Sequence, residues 1–533
     1  MPLNTIQHVM RNERIIVVGG GVGGLVSAAL LASRGAEVLL LERASSVGGK
    51  MRQVHPAGRA VDAGPTVLTM RWVFEEIFSA LGTTLDKHLK LTPADLLARH
   101  AWTPHGRPLQ QLDLFADIDR SADAIGDFAG RTEAQGYRRF CRYARRIYGT
   151  VERPFLRSDR PTFTSTLSMA KEIGIAALFH IDGHRTLWKA LGDFFQDERL
   201  RQLFGRYATY CGSSPFLAPA TLNIIAHVER DGVWLVEGGM YQVATALAGL
   251  LESAGGKIRV DAQVEEILVE NGRASGVRLA GGEVLAADAV VLNGDAAALA
   301  RGLFGEAAAK GHAEPSERSL SAITWALVAE TRGFPLARHN VFFSSNYQEE
   351  FRQLFNDGEV PLRPTIYVCA QDRDDRGAFS GGAERLLVLV NAPANGDRKP
   401  LQPAEVAACE TRCFDLLSRS GLYISRSPEA SVVTTPSGFE RLFPGTGGAL
   451  YGAASHGMTS PFARSGSRTK LPGLYLTGGS AHPGAGVPMV ALSGKLAAAS
   501  ALADLASTGR SRTAATPGGT PMSSATTGAM RSA

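Results

Sequence analysis

Nineteen residues without a charge, Ile15 to Ser33, constrain this chain more than any other feature. A run of that length meets the usual threshold for a membrane-spanning helix. Its interior argues against one. Five glycines fall within six positions (Gly19, Gly20, Gly21, Gly23 and Gly24) and would break a spanning helix in its first third. The β-branched run Ile15 to Val18 comes before them and the alanine- and leucine-rich stretch Leu25 to Ala32 after, so strand, tight turn, helix is the expected parse. No other segment is expected to reach spanning length. No short apolar region ends in a small-residue cleavage site, so a signal peptide is not expected either. Any membrane contact should be peripheral.

Within that parse, Gly19-Gly20-Gly21-Val22-Gly23-Gly24 satisfies G-x-G-x-x-G between a strand and a helix. Glu37 to Leu41 reads as the next strand and ends at Glu42, eighteen residues beyond Gly24. Each part answers a need of a bound dinucleotide. Glycines let the backbone approach a pyrophosphate, a helix N-terminus offers free N–H groups, and an acid accepts from a ribose hydroxyl. A glycine loop that merely turns does not explain Glu42. On this reading, Glu42→Ala should weaken the cofactor while leaving the fold intact. Gly48-Gly49-Lys50 and Asp62-Ala63-Gly64-Pro65-Thr66 come next. FAD outreaches one mononucleotide half-site, so distant sequence must grip its flavin end. Leu474 to Thr477 reads as a strand, Gly478 to Pro488 as a second glycine loop, and Met489 to Leu505 as an apolar helix. The N-terminus of that helix would stabilise negative charge on a flavin ring. A plain βα connection is the alternative.

Composition narrows the partners. The 533 residues carry 56 Lys+Arg against 51 Asp+Glu, a net +5. Arg510, Arg512 and Arg531 lie in an acid-free tail and supply +3 of that +5. The body is nearly neutral, which gives no footprint for nucleic acid. Cys141, Cys211, Cys369, Cys409 and Cys413 are scattered, with no His or Cys cluster to complete a metal site, so reduced, packed thiols are expected. No metal is expected, and the thiols suggest a reducing, cytosol-facing compartment.

The N-terminal fingerprint through Gly64-Pro65 resembles the carotenoid desaturases of the phytoene-desaturase family. So do Gly212-Ser213-Ser214-Pro215, Gly232-Val233-Trp234, Glu237-Gly238-Gly239-Met240, Asp261-Ala262-Gln263-Val264, Asn293-Gly294-Asp295 and the run His482 to Pro488. The resemblance spans nearly all of residues 14–506. Gly484-Ala485-Gly486-Val487-Pro488-Met489 is closer to the bacterial hydroxyneurosporene (1-hydroxycarotenoid 3,4-) desaturases, because phytoene desaturases usually have a further glycine in place of Ala485. The resemblance implies an α/β fold: a Rossmann-like FAD-binding domain, similar to amine oxidases and GDP-dissociation inhibitors, with an inserted α+β substrate domain. It implies non-covalent FAD. Gly19, Gly21 and Gly24 would approach the pyrophosphate, with Gly23 in the same turn, and Glu42 would take the ribose. Gly49 and Lys50 would continue the phosphate cradle. Gly64, Pro65 and Thr66 would lie near the flavin, Val264 at the adenine, and Gly479, Gly486, Val487, Pro488 and Met489 along the isoalloxazine. A cysteinyl–flavin link is not expected, since no cysteine follows Cys413. His482 is read as a hydrogen-bonding loop residue.

Residues 14–95, 236–300 and 426–506 are assigned to the FAD domain, and 96–235 and 301–425 to the substrate domain. Residues 507–533 are read as a disordered tail. The family chemistry is desaturation of an acyclic carotenoid, at carbons 3 and 4 when carbon 1 carries a hydroxyl or methoxyl. A hydride leaves to the flavin and a proton to a base or water. No catalytic residue is assigned: Lys171 and Glu172, the only charges in a long apolar stretch, read as a solvent-facing pair. Arg138, Arg142 and Arg145 share one helical face that would suit anionic lipid, with a solvated surface helix as the ordinary alternative. Residues 173–191 offer an apolar entrance or an internal packing segment. A water-insoluble polyene implies a peripheral site on the cytoplasmic side of a membrane, with oxygen or a quinone as electron acceptor. Phytoene desaturase, a redox-neutral carotenoid isomerase, a flavin amine oxidase and a lipid-chain-binding protein of the dissociation-inhibitor type are the rival readings.

Overall fold

Ile15 to Val18 form the centre of a five-stranded parallel sheet in the computed structural model, which describes residues 13–103, 108–159 and 181–514. Arg14–Val18 pairs with Glu37–Leu41 on one side and Ala289–Leu292 on the other. Lys257–Arg259 and Leu474–Leu476 complete the edges, so one sheet draws on three separated stretches of chain. The central strand is buried on both faces, which is why it reads as a continuous apolar run. One face is covered by the helices Val22–Ala32, Tyr241–Ser253 and Val487–Ala514. The other carries an antiparallel meander of Val264–Glu270, Arg273–Leu279 and Val284–Ala286, whose Ile267 and Val277 meet Ile16 and Val18 in one apolar cluster.

Helix Val22–Ala32 is buried along its whole length because the C-terminal helix lies directly on it. The contact is made by small residues. Ser27 Oγ donates to Gly23 O at 2.7 Å and to Gly494 O at 3.1 Å, and a Cβ on Gly494 would overlap the Gly23 carbonyl. The C-terminal helix departs from the sequence expectation twice. It continues to Ala514, so Ser507 to Ala514 is helical where a disordered tail was expected; residues 515–533 lie outside the described residues. Its Val487–Ser507 portion is also long and apolar enough to cross a membrane. More than half of that apolar window is buried inside the protein, with Ala491, Ala497, Ala498 and Ala501 fully so. It is placed as a core helix.

A second, eight-stranded sheet runs in the order Leu422–Ser425, Ser321–Gly333, Glu384–Ala392, Ile366–Ala370, His339–Phe342, Leu96–Trp102 and Gln110–Phe115, with Ser431–Thr434 also pairing Ser321–Gly333. Its pairings are antiparallel except that of His339–Phe342 with Leu96–Trp102. Side chains alternate across it. Ile323, Trp325, Val368, Leu386 and Val388 pack under helix Pro403–Arg419, whereas Thr324, His339, Tyr367, Leu387 and Leu389 face a cavity. Cys409 and Cys413 sit on that helix with sulfurs 3.9 Å apart, and all five cysteines are free thiols.

Helix Arg131–Val151 buries Phe140 against Phe195 and Phe204, and buries Ile147 as well. Arg142 and Arg145 are exposed, and Arg138 pairs with Asp119 at 2.9 Å. Lys171, Glu172 and residues 173–180 of the apolar entrance segment lie outside the described residues, and within 181–191 Leu187, Ala190 and Leu191 are buried.

Candidate functional site

The glycine turn is a set of close backbone approaches. Gly19 has φ +99°, open to glycine and strained for other residues, and its N–H donates to Leu41 O at 2.7 Å. Gly21 bridges to Gly48, and the Gly48 N–H donates to Gly20 O at 2.8 Å. A Cβ on Gly49 would sit 3.1 Å from the Gly21 Cα, and one on Gly64 would overlap the Lys50 carbonyl oxygen. Asn293, at the end of the neighbouring strand, sits beneath the turn and donates to Gly19 O at 3.1 Å. A Cβ on Gly21 would come 2.8 Å from Asn293 Nδ2.

Glu42 is buried at 7% exposure beside this turn. Its Oε2 accepts the Gly20 N–H at 2.7 Å and its Oε1 accepts the Ala44 N–H at 2.8 Å. A carboxylate has roughly four acceptor positions. Glu42 therefore holds two loops together and still has capacity toward a ligand. The expectation that its removal leaves the fold untouched is corrected accordingly.

A single cavity of about 1250 Å³ begins at this turn and reaches the alternating face of the large sheet. That exceeds the upper end of the range usual for one small ligand, about 1000 Å³. Gly19, Gly21, Glu42, Gly49, Lys50 and Val264 line it, as do Gly64, Pro65, Thr66, Gly479, Gly486, Val487, Pro488 and Met489. Gly23 and Gly24 lie behind the wall. A Cβ on Gly24 would overlap Gly19 O, and one on Gly23 would come 2.7 Å from Thr477 Oγ1. They close the turn and admit the C-terminal helix, which differs from the pyrophosphate approach expected of Gly24.

Charge along the cavity wall is held mainly by backbone carbonyls. Lys50 Nζ donates to Leu450 O at 2.8 Å, and burial pulls its pKa below the usual lysine value, with Asp295 opposing and Arg464 adding to the shift. Arg464 donates to the carbonyls of Tyr451, Ala453 and Gly479, at 2.8 Å for the last. His482 Nε2 donates to Phe155 O at 2.9 Å, and burial holds its pKa at about 4, so it is a neutral structural imidazole. Toward the sheet, Thr66 Oγ1 meets the Tyr367 hydroxyl at 2.7 Å, and that hydroxyl meets His339 Nδ1 at 2.8 Å.

Comparison with known proteins fits this geometry. A family model described as flavin containing amine oxidoreductase matches residues 22–502. Hydroxyneurosporene desaturase of Rubrivivax gelatinosus is 54% identical over 98% of this chain and 99% of its own length. The protein of the same name from Cereibacter sphaeroides is 44% identical over 93% and 99%. The chain belongs to the flavin-containing amine oxidoreductases, in their hydroxyneurosporene desaturase branch. Among solved structures of this fold, putrescine oxidase bound to putrescine aligns with TM-score 0.60 at 15% identity, covering 92% of this chain and 99% of that one. A Plasmodium falciparum Rab GDI aligns with TM-score 0.50 at 9% identity over 88% and 93%.

This flavin oxidoreductase uses FAD, and the structure has the features an FAD site requires. Its glycine cradle is one that Cβ atoms would fill, an acid with spare acceptor capacity lies beside it, and a second glycine loop continues the same cavity. Sequence reasoning quoted Asn293 in a motif without giving it a role, and passed over Arg464, Arg206 and His339. Asn293 had a usable signal, a polar residue directly after the apolar strand Ala289–Leu292. Arg206 and His339 carry no local motif.

Proposed function

We propose that this enzyme introduces the 3,4 double bond of an acyclic carotenoid bearing a hydroxyl or methoxyl at carbon 1. The observation that carries the reading is the continuity of one cavity from the glycine cradle into a lobe walled by Leu387, Leu389, Val341, Ile225 and Leu222. The names of the relatives, matched over essentially their whole length, support the substrate class.

In this account Gly19, Gly21 and Gly49 admit the pyrophosphate, Glu42 takes the ribose, and Val264 borders the adenine. Lys50 continues the phosphate cradle, and Gly64, Pro65 and Thr66 border the flavin on one side. Gly479 and Gly486 to Met489 border it on the other. Residues 14–95, 236–300 and 426–506 make up the cofactor domain, and 96–235 and 301–425 the substrate domain. Bound FAD supplies a two-electron acceptor for hydrogen taken from a saturated bond beside a polyene. The chain's own side chains orient that bond and keep water from it. Apolar residues of the large sheet desolvate the polyene.

The polyene reaches the cavity from a bilayer, by peripheral contact on the cytoplasmic side. Met458 at the cavity rim is 61% exposed and Leu217 beside it 46%; the Gly457 N–H donates to Leu217 O at 3.0 Å. These are apolar side chains that a lipid surface would cover. Oxygen or a quinone takes the electrons afterwards, and no nucleic acid is involved. Incubation with 1-hydroxyneurosporene followed by a visible spectrum tests the reading. A red shift from the lengthened chromophore is expected. Unchanged conjugation in the presence and absence of oxygen would overturn it.

A further inference from the structure

A hydrocarbon chain needs no polar partner, yet the lobe of the cavity away from the cofactor end carries several. Arg206 stacks over Tyr367 and Tyr210 at 5.3 and 5.2 Å from the ring centroids. Among the described residues it forms no ion pair, and its one side-chain hydrogen bond goes from Nη1 to the Tyr210 hydroxyl at 3.1 Å. Two further polar atoms, on residues that line the cavity, have no partner among the described residues: His339 Nε2 and the Tyr347 hydroxyl. Both side chains are more than nine-tenths buried, at 4% and 7% exposure. A buried polar atom left unpaired costs about 1–3 kcal/mol. Both residues line the cavity, so a small rotation of either ring brings its free atom to a ligand there.

The position of this cluster relative to the chemistry is informative. His339 is linked through the Tyr367 hydroxyl to Thr66, which borders the flavin in the account above. In a 1-hydroxycarotenoid the C1 oxygen lies about 4 Å from the middle of the C3–C4 bond by ordinary bond lengths. Whatever recognises that oxygen must therefore sit within about 7 Å of that bond, the oxygen's own distance plus one hydrogen bond. His339 is two hydrogen bonds, of 2.8 and 2.7 Å, from Thr66. With Nδ1 accepting from Tyr367, the neutral ring carries its proton on Nε2, the donor a hydroxyl or ether oxygen requires. Burial, with the nearby Arg338 and Arg206 charges, holds the His339 pKa at about 3, which makes it a poor proton acceptor and suits it to positioning.

We propose that His339, with Tyr347 and Arg206, forms a subsite that hydrogen-bonds the C1 oxygen of the substrate and so sets the 3,4 bond at the reaction centre. The inference rests on the desaturase reading and adds to it the residues that select the oxygenated end. A hydroxyl can accept from His339 Nε2 or Arg206 and donate to the Tyr347 oxygen. A methoxyl can only accept, from His339 Nε2, Arg206 or the Tyr347 O–H.

The test compares kcat/KM for 1-hydroxyneurosporene and for the same polyene without the hydroxyl, in wild type, His339→Phe, His339→Gln and Tyr347→Phe. Flavin absorbance and thermal midpoint serve as folding controls. Wild type should prefer the hydroxylated chain by about tenfold or more, because a site built for a hydroxyl is left unpaired by its analogue. His339→Phe should collapse that preference toward unity, and His339→Gln should restore part of it. Tyr347→Phe should lower the preference for the hydroxylated chain; it stands as the test if His339→Phe fails to fold. An unchanged ratio in the folded variants, or equal loss on both substrates, would overturn the subsite. A wild-type enzyme that converts neither polyene would instead overturn the desaturase reading beneath it.

Discussion

The Gly20 N–H donates to Glu42 Oε2 at 2.7 Å across the mouth of the glycine turn, and the Ala44 N–H donates to the other oxygen of the same carboxylate at 2.8 Å. Glu42 is thus a structural clasp before it is a ligand. Hydrogen bonds to a charged acceptor contribute about 1.5–3 kcal/mol each. Glu42→Ala should therefore lose flavin on dialysis and also destabilise the flavin-free protein, by on the order of 3 kcal/mol. Glu42→Gln, which keeps one acceptor oxygen, should fall between. Urea unfolding of the apoproteins decides the matter; identical midpoints for Glu42→Ala and wild type would show that the clasp contributes nothing.

Gly494 and Gly23 make a second contact that tolerates no side chain, because a Cβ on Gly494 would overlap the Gly23 carbonyl. Gly494→Ala should push the C-terminal helix off the first helix and cost about 1–3 kcal/mol, as overpacking does. Ser27, which donates to Gly494 O, moves with it. Since the same helix begins at the cavity wall with Val487, weaker flavin retention should accompany the fall in thermal midpoint. A variant with wild-type stability would place the two helices further apart than described.

Acid should unfold this protein steeply. Burial pushes His100, His339 and His482 from 6.5 to about 3, 3 and 4. Below pH 6.5 the unfolded chain takes up three protons that the folded chain refuses, so stability is lost as pH falls. Glu350 acts in the opposite sense. Burial lifts it from 4.5 to about 7 against hydrogen bonds from Thr365 and the Arg206 charge, so between those values the folded state holds the extra proton. The net difference is about two protons from pH 6 to 4.5, or roughly 3 kcal/mol per pH unit. Urea midpoints at pH 7 and 5 measure it directly, and His100→Phe should flatten the dependence. Equal midpoints at both pH values would contradict the neutral burial of these rings.

Membrane contact at the cavity rim gives a separate prediction. Met458→Glu combined with Leu217→Glu removes two exposed apolar side chains and adds two negative charges. Cosedimentation with anionic vesicles should weaken by about tenfold or more, since each apolar side chain covered is worth about 1.5–3 kcal/mol. Flavin content should stay at the wild-type level. Undiminished vesicle binding would place the contact elsewhere.

The parts of this site that can be read from sequence are those where one short segment does the whole job. The turn from Gly19 to Gly24, the acid at Glu42 and the loop from Gly478 to Pro488 each combine strand, glycines and helix within a few residues. The role of Gly24 was less legible, because only the fold shows its Cα facing the Gly19 carbonyl and away from the cavity. His339 and Tyr367 were not legible. Their strands pair antiparallel, with His339 opposite Cys369 and Val341 opposite Tyr367, and that register alone turns both rings to the cavity. Neither strand signals the orientation: all four residues of His339–Phe342 are buried, so no polar alternation marks which face holds a ligand. The C-terminal helix shows the reverse case. Its apolar composition alone would suit a membrane, and its burial against Val22–Ala32 is what assigns it to the core.

The central claim is that removal of hydrogen from the polyene is coupled to this protein's flavin. An anaerobic single turnover with 1-hydroxyneurosporene, followed at the flavin and polyene bands together, tests it most directly. The account predicts one flavin bleached for each polyene whose absorbance shifts to the red, with flavin colour returning when oxygen or a quinone is added. A polyene spectrum that changes while the flavin stays oxidised would contradict it and identify a redox-neutral isomerase.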